Sequence, residues 1–518
     1  MPKVTIDGNT FEVPAGTNVV DAAAMADVEI PHYCYHPGLS VAGNCRMCLV
    51  DIRALSEKQD KPLPKLQIGC NTIVQDGMVV ETANDKVRQA RKSVLEFLLI
   101  NHPIDCPICD QAGECKLQEY YMDYGRYGSR FELDDKVNKR KAEAIGSNIM
   151  LDQERCILCT RCVRFLDEVT ETHELTLTER GDHSRLTLAG GASVDNDYAT
   201  NVVDICPVGA LTSRRFRFQA RVWYLDSTDS VCTGCATGCN VEVHSREREI
   251  YRLKPRYNPD VNGYWMCDHG RATFEGNDDG NRLPGSLKRE GETFVEADAG
   301  AVATQAARGL RSAQHVAVVA SASLTMEEGF LLTSVVEQLG GGERIITSPG
   351  VSEIPDDGKL VSTDRYPNRR GLTALGFTER AVPATDADAV IIVRCDPVSA
   401  DDGWADRLEG MFATVVVDDH AGQTTGFADQ VLAVATHFES DGSFVNRDGR
   451  IQRFQAAVEP PAGVVAGWRA LAALLSALGG PHYEDLSEVL AALLERLTEK
   501  PGLGASWLGP HGQPVAGD

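Results

Sequence analysis

RCILCTRCVRF (155–165) and DICPVGALT (204–212) are the two stretches from which the rest of this chain can be read. The first opens the bacterial iron–sulfur run C-x2-C-x2-C-x3-C-P with Cys156, Cys159 and Cys162, but its fourth position is Leu166, followed by Asp167. The missing end reappears as Cys206-Pro207. A second complete run ending there needs cysteines where the chain has Asn196, Ala199 and Val202. Where two such runs stand together, the fourth cysteine of each ligates the other's cluster. Three cysteines of one run and one of the other therefore make a single tetranuclear site, with its twin erased.

Working outward, the same economy holds for the other cysteines. Fifteen of the sixteen lie in the first 267 residues, and with one histidine they form four sets of four; only Cys395 is left over. Cys34-x10-Cys45-x2-Cys48-x21-Cys70 sits in a β-rich stretch with Gly38 and Gly43 in the first loop. It is related to the plant-type binuclear pattern C-x4-C-x2-C…C, with a longer first spacing. His102-x3-Cys106-x2-Cys109-x5-Cys115 has three cysteines, so a tetranuclear cluster needs a fourth donor, and His102 is the nearest. A neutral imidazole in place of a thiolate removes negative charge and raises the reduction potential. Cys232-x2-Cys235-x3-Cys239-x27-Cys267 supplies four thiolates in a small unit, where structural zinc is the competing reading. Cys395, at the end of the strand run in VIIVRCDPVSADD, reads as a buried structural cysteine rather than a molybdenum ligand.

Bulk properties narrow the classes. At 518 residues several domains are expected. A net charge of −24 argues against a nucleic-acid partner. VLEFLLI (94–100) falls far short of the roughly 20 apolar residues of a membrane span, and MPKVTIDGNTFEV lacks the apolar core of a secretory signal. The expectation is a cytoplasmic chain, peripheral to the inner membrane through a complex. Thiols in that compartment serve as metal ligands more often than as disulfides.

Local patterns place the motifs. Residues 1–80 alternate strands (KVTIDG, TFEV, MCLVDI, MVVET) with a helix around TNVVDAAAMA. Residues 84–100 predict an amphipathic helix with Val87, Ala90 or Arg91, Val94, Leu95, Leu98 and Leu99 on one side. It stops at Asn101-His102-Pro103, because the residue before proline disfavours α geometry. HELTLTERGDHSRLTLAGG (173–191) predicts a hairpin turning near Gly181-Asp182. SRRFRFQARVW (213–223) is a basic run in an acidic chain, read as solvated surface, a docking face or support for cluster charge. Beyond Asn277, HVAVVAS (315–321), MEEGFLLTSVVEQL (326–339), AVIIVR (389–394), ATVVVDD (413–419) and GWRALAALLSAL (467–478) alternate strand and helix, which predicts an α/β domain with a parallel sheet. Glycine turns there give no convincing nucleotide fingerprint.

Taken together, the sets resemble the large iron–sulfur subunit (the 75-kilodalton type) of respiratory complex I, NADH:quinone oxidoreductase. IPHYCYHPGLSVAGNCRMCLV (30–50) is similar to that family's ferredoxin segment and NHPIDCPICDQAGECKLQ (101–118) to its histidine-bearing motif. RCILCTRCVRF with DICPVGALT resembles its split ferredoxin motif. The set at 232–267 resembles the extra N-terminal cluster of molybdopterin oxidoreductases, and 427–461 that superfamily's strand-and-loop signature.

The resemblance implies a multi-domain α+β chain: 1–80 a 2Fe–2S ferredoxin-like β-grasp domain, 81–145 a histidine-plus-three-cysteine 4Fe–4S domain, and 146–222 a split ferredoxin-like 4Fe–4S domain. It continues with 223–278, a molybdopterin-oxidoreductase-type 4Fe–4S domain, then 279–500, a truncated molybdopterin-oxidoreductase-like α/β domain, and 501–518, a loose tail. It implies one 2Fe–2S and three 4Fe–4S clusters, no molybdopterin and no substrate site of the chain's own. Electrons from a flavin- and NADH-binding subunit would pass the first, second and third sets in that order. They would leave through a small ferredoxin-like two-cluster subunit towards quinone, among other peripheral-arm subunits, with the fourth set off the route. The alternative is an iron–sulfur subunit of a soluble NAD-linked formate dehydrogenase or hydrogenase; a zinc-rich scaffold is a different class again.

Overall fold

The computed structural model describes residues 1–515 apart from 57, 278–279, 348–354, 384–386 and 402, and excludes the side chain of residue 133. The domain limits at 278 and 279, and the last three residues of the expected tail, lie outside the described residues. The chain forms two compact units, Met1–Tyr224 and Leu225–Asp518.

The first unit begins with a mixed five-stranded sheet in the order Asn9–Glu12, Lys3–Ile6, Met78–Glu81, Leu49–Ala54, Gln67–Ile68. Lys3–Ile6 pairs parallel with Met78–Glu81, and its neighbour Asn9–Glu12 runs antiparallel. Alternation puts Val4, Ile6, Val50, Ile52, Met78 and Val80 on one face, where the helix Val19–Ala24 covers them. Asn18 caps that helix, accepting from the Asp21 N–H at 3.0 Å.

The helix Asp85–Leu99 follows, capped by Asn84 at the Val87 N–H. Of the two residues expected on its inner face, Arg91 is the buried one, 1% exposed. Its guanidinium donates to Tyr124 Oη and the Leu49 carbonyl, so a long charged side chain spans an apolar gap. The split-motif region holds the antiparallel sheet Leu211–Ser213, Ile149–Leu151, Glu143–Ala144, and the helix Arg161–Glu168. Its hairpin pairs Leu175–Thr178 with Arg185–Leu188, turning through Gly181–His183.

The second unit opens with three antiparallel strands, Asp226–Val231, Asn240–Arg246 and Glu249–Pro255. An eight-stranded sheet follows, ordered Thr293–Glu296, Leu287–Glu290, Gln430–Ala433, Ala413–Asp418, Ala389–Val393, Val316–Ala320, Gly342–Ile346, Thr378–Glu379. Its six-strand body is parallel. The antiparallel hairpin on its edge does not follow from the apolar runs of the sequence. Helices Ala299–Ser312, Met326–Gln338, Gly467–Ala477 and Leu486–Thr498 contribute to the core on one face, and Gly403–Glu409 packs on the other. Both faces are covered, which is why the central strands are continuous apolar runs.

The expected loose tail is folded over its described part. Ala505–Leu508 is helical, Leu508 is fully buried, and Gln513–Pro514 pairs with Arg450–Phe454. Leu508 and that strand pairing outweigh the glycines and prolines that make 501–518 look unstructured.

Candidate metal centres

Among the described residues, none of the sixteen cysteines forms a disulfide. The first set converges at the edge of the mixed sheet. Cys48 Sγ lies 3.5 Å from Cys70 Sγ, and the Cys34 N–H points at Cys45 Sγ at 3.5 Å. Hydrogen bonds from Cys45 and then Cys70 hold the Cys34 thiol low, and that same pairing, with burial, pushes Cys45 and Cys70 up. Gly69, beside Cys70, leaves room for the Cys48 carbonyl, which a Cβ would approach at 3.0 Å.

In the second set Cys106, Cys109 and Cys115 lie within electrostatic reach of one another, and burial pushes Cys115 up to about 11. His102, Cys106 and Cys115 line one cavity of ≈ 220 Å³ with Leu117 and Tyr121. Burial pushes the His102 imidazole down to about 4, so it is neutral at pH 7. Its buried Nδ1 has no hydrogen-bond partner. A neutral ring with an orphaned buried nitrogen, lining the same cavity as Cys106 and Cys115, suits a fourth donor, so these residues fit a cluster.

Third-set thiols of Cys156, Cys159, Cys162 and Cys206 are all buried among one another. Burial raises Cys156, Cys159 and Cys206 to about 11. Thr160 takes a left-handed φ of 64° to swing the chain from Cys159 into the helix that carries Cys162.

The third set is tied to both others. Arg164 Nη2 donates to the Cys34 carbonyl at 2.5 Å and to that of Cys159 at 3.5 Å, and Asn44 donates to the Leu158 carbonyl. On its other side, Lys116 N–H donates to the Pro207 carbonyl at 3.2 Å. Buried Arg155 makes a two-pronged ion pair with Asp105, at 3.0 and 2.6 Å, and faces Cys109. The first and second sets meet across Tyr33, fully buried between Cys45 and Cys115.

The basic run at 213–223 supports the second set. Arg221 donates to the carbonyls of Cys109 and Pro107, at 2.5 and 2.6 Å. Trp223 packs where a Cβ on Gly113 would stand, 2.6 Å away, and the Gly113 φ of +92° also favours glycine. Arg155, Arg161, Arg164 and Arg221 are not singled out by the sequence. Their one signal is that each lies beside a ligand or inside a basic run in an acidic chain.

In the second unit, Cys232, Cys235, Cys239 and Cys267 surround one another, and burial raises Cys267 to about 11. The Gly234 and Gly270 N–H groups point at Cys232 and Cys267 Sγ, both at 3.4 Å. A Cβ on Gly270 would come within 2.8 Å of Cys232 Sγ. Among the described residues, no group of three or more His, Cys, Asp or Glu side chains is arranged to hold a single ion. A tetranuclear cluster binds each ligand through a different iron and a binuclear one binds two per iron, so four ligands need not converge on one point.

Cys395 donates weakly to the Val319 carbonyl at 3.6 Å, and burial raises it to about 12. It stands where the central parallel strands end, the usual ligand position in an open α/β sheet. There Arg394 is bound by Glu328 at 2.8 Å and Asp419 at 2.5 Å. Two carboxylates saturating the guanidinium do not fit a phosphate-bearing cofactor at that point.

Family models match along the chain in the same order. They are a 2Fe–2S iron–sulfur cluster binding domain (2–85), the NADH-ubiquinone oxidoreductase-G iron–sulfur binding region (91–130) and the ferredoxin-like domain of NADH-quinone oxidoreductase subunit 3 (146–212). A molybdopterin oxidoreductase Fe4S4 domain (225–275) and the molybdopterin oxidoreductase domain (305–477) follow. The class is a multi-centre iron–sulfur protein of mixed α and β structure.

Curated relatives are more particular. The G-type subunit of the NADH-quinone oxidoreductase of Rickettsia felis is 39% identical over 66% of this chain and 49% of its own length. The mitochondrial 78 kDa subunit of NADH-ubiquinone oxidoreductase from Candida albicans is 42% identical over 57% and 40%. Subunit 3 of the Thermus thermophilus NADH-quinone oxidoreductase is 37% identical over 65% and 46%. The chain is a homologue of the large iron–sulfur subunit of NADH-quinone oxidoreductase, and it spans about half the length of these relatives.

Proposed function

We propose that this chain is the electron-transfer subunit of an NADH:quinone oxidoreductase. It would relay single electrons from a flavin- and NADH-binding subunit towards a small ferredoxin-like subunit and quinone. The ligands are Cys34, Cys45, Cys48 and Cys70 for a 2Fe–2S cluster. Three 4Fe–4S clusters take His102, Cys106, Cys109 and Cys115; Cys156, Cys159, Cys162 and Cys206; and Cys232, Cys235, Cys239 and Cys267. When bound, such clusters accept and release one electron at a time, at potentials set by charge, hydrogen bonding and exposure. The chain's residues exclude water from the thiols, supply a neutral imidazole and fix the sites beside one another.

The observation that carries this reading is the position of the third set, which shares Arg164 with the first and Arg155 with the second. It supports the succession first, third, second, in place of the chain order expected from sequence. Among the described residues no helix is long and apolar enough to cross a membrane, which accords with a peripheral place on the cytoplasmic side.

Anaerobically purified protein with its neighbouring subunits tests the reading by iron, acid-labile sulfide and low-temperature electron paramagnetic resonance. One binuclear and three tetranuclear signals are expected; zinc without labile sulfide would end the proposal. Cys206→Ser should leave the first centre reducible by NADH while the second stays oxidised. Reduction of the second centre at the unaltered rate would overturn the succession.

A further inference from the structure

Arg161 opens the helix Arg161–Glu168 between two ligands of the third set, Cys159 and Cys162. Its Nη1 donates to the carbonyl of Ile205 at 3.1 Å, and its Nη2 donates to the carbonyl of Tyr35. Ile205 precedes Cys206 and Tyr35 follows Cys34, so one guanidinium joins the backbone beside a third-set ligand to that beside a first-set ligand. Among the described residues it has no carboxylate partner, and its buried Nε has no partner of any kind.

A guanidinium held away from water without a counter-anion is costly, and removal of its compensation more so. The anionic groups that face it are the sulfurs of Cys159, Cys206 and Cys34. Arg164, one turn along the same helix, adds a second positive charge beside it. Arg155 differs, since Asp105 and Asp152 already neutralise it.

We propose that Arg161 is a positioning residue whose one uncompensated charge serves the first and third centres together, raising the reduction potential of both. The proposal rests on reading those two sets as cluster ligands. Each centre gains one negative charge when it takes up its electron. A fixed positive charge between them therefore favours both reduced states, whereas a carboxylate partner would have cancelled the effect. Among the described residues the hydrogen bonds of the Arg161 guanidinium go to backbone beside the first and third sets, so the second centre is an internal reference.

The test is redox titration of the assembled complex, read by electron paramagnetic resonance, for the wild type, Arg161→Gln and Arg161→Lys. Arg161→Gln should lower the first and third midpoints by the equivalent of at least tenfold in the reduced-to-oxidised ratio, about 59 mV for one electron. The second midpoint should stay. Arg161→Lys keeps the charge and loses part of the carbonyl bonding, so it should hold both midpoints near wild type. Unmoved first and third midpoints in Arg161→Gln, or a shift shared equally by all three centres, would overturn the proposal. So would a fall in Arg161→Lys as large as in Arg161→Gln. If Arg161→Gln fails to assemble, Arg161→Lys decides: retained midpoints support the charge role and lowered ones refute it. Wild-type protein without cluster signals would defeat the ligand reading instead.

Discussion

Gly209 stands against Cys109: a Cβ built on its backbone would lie 2.3 Å from the cysteine sulfur and 3.1 Å from the Gln111 Cβ. The glycine belongs to the loop after Cys206-Pro207, so a residue of the third set's own turn shapes the wall of the second. Contact at that distance forces sulfur or loop to move, since packed interiors do not yield a full van der Waals radius. We expect Gly209→Ala to delete or broaden the second centre's resonance while the first centre's signal survives. Iron and sulfide analysis would show less than a full second cluster. A native second-centre spectrum in Gly209→Ala would show that the sulfur has freedom this packing denies.

His102 leads to a second expectation. Its ring is buried and neutral, and the adjacent carbonyl is held by Lys136 Nζ at 2.5 Å. His102→Cys keeps a ligand but adds negative charge, so the second midpoint should fall. His102→Ala leaves three thiolates and should lose the centre or leave it incomplete. Redox titration of both variants checks this; a cluster in His102→Ala indistinguishable from wild type would remove histidine from the ligand set.

Arg155 and Asp105 form a pair worth breaking one member at a time. The arginine side chain is 5% exposed and the aspartate 18%, and Arg155 also reaches Asp152 at 3.5 Å. Arg155 holds the Asp105 carboxyl below its usual range against the burial that raises it. Arg155→Met leaves that carboxylate to Lys141 alone, 3.5 Å away, so the loss should stay below about 3–5 kcal/mol, the cost of a wholly unpaired buried charge. Asp105→Leu combined with Arg155→Met should recover much of it. Denaturation midpoints for the two single variants and the double variant read the coupling, and purely additive losses would contradict it.

How far the sequence announces all this differs from element to element. The four candidate ligand sets are legible because ligation demands particular residue types at fixed spacings. The helix Asp85–Leu99 shows in its apolar period and in the proline after His102. The parallel strands show as unbroken apolar runs because both faces are covered. The arginines around the sets are not legible in that way. A charged residue carries no period, and whether Arg161 meets a carboxylate or a pair of carbonyls depends on chain segments more than a hundred residues apart. The strand at Gln513–Pro514 is hidden for a related reason, since it is too short to alternate and exists only through its partner.

The second unit supplies a pH dependence with a definite sign. Glu327 is 2% exposed on the helix Met326–Gln338, and its carboxylate accepts from Ser443 Oγ at 2.8 Å and Ser443 N–H at 2.9 Å. Burial nevertheless pushes its pKa from 4.5 up to about 7, and neighbouring Glu328 adds to the rise. A carboxyl with a raised folded-state pKa binds its proton more tightly in the native form than in the unfolded chain. Its stabilisation is therefore complete below pH 4.5 and is lost as pH rises from there through about 7. The loss is on the order of 3 kcal/mol, at 1.36 kcal/mol per pKa unit. Glu327→Gln cannot ionise and keeps a carbonyl for the Ser443 donors. It should match wild type at pH 4.5 and exceed it at pH 8 by an amount that stops growing above pH 7. Urea titrations followed by the fluorescence of buried Trp404 and Trp468 report on this unit. A gap between the two proteins that is flat from pH 4.5 to 8 would mean that Glu327 ionises in the fold as freely as in water.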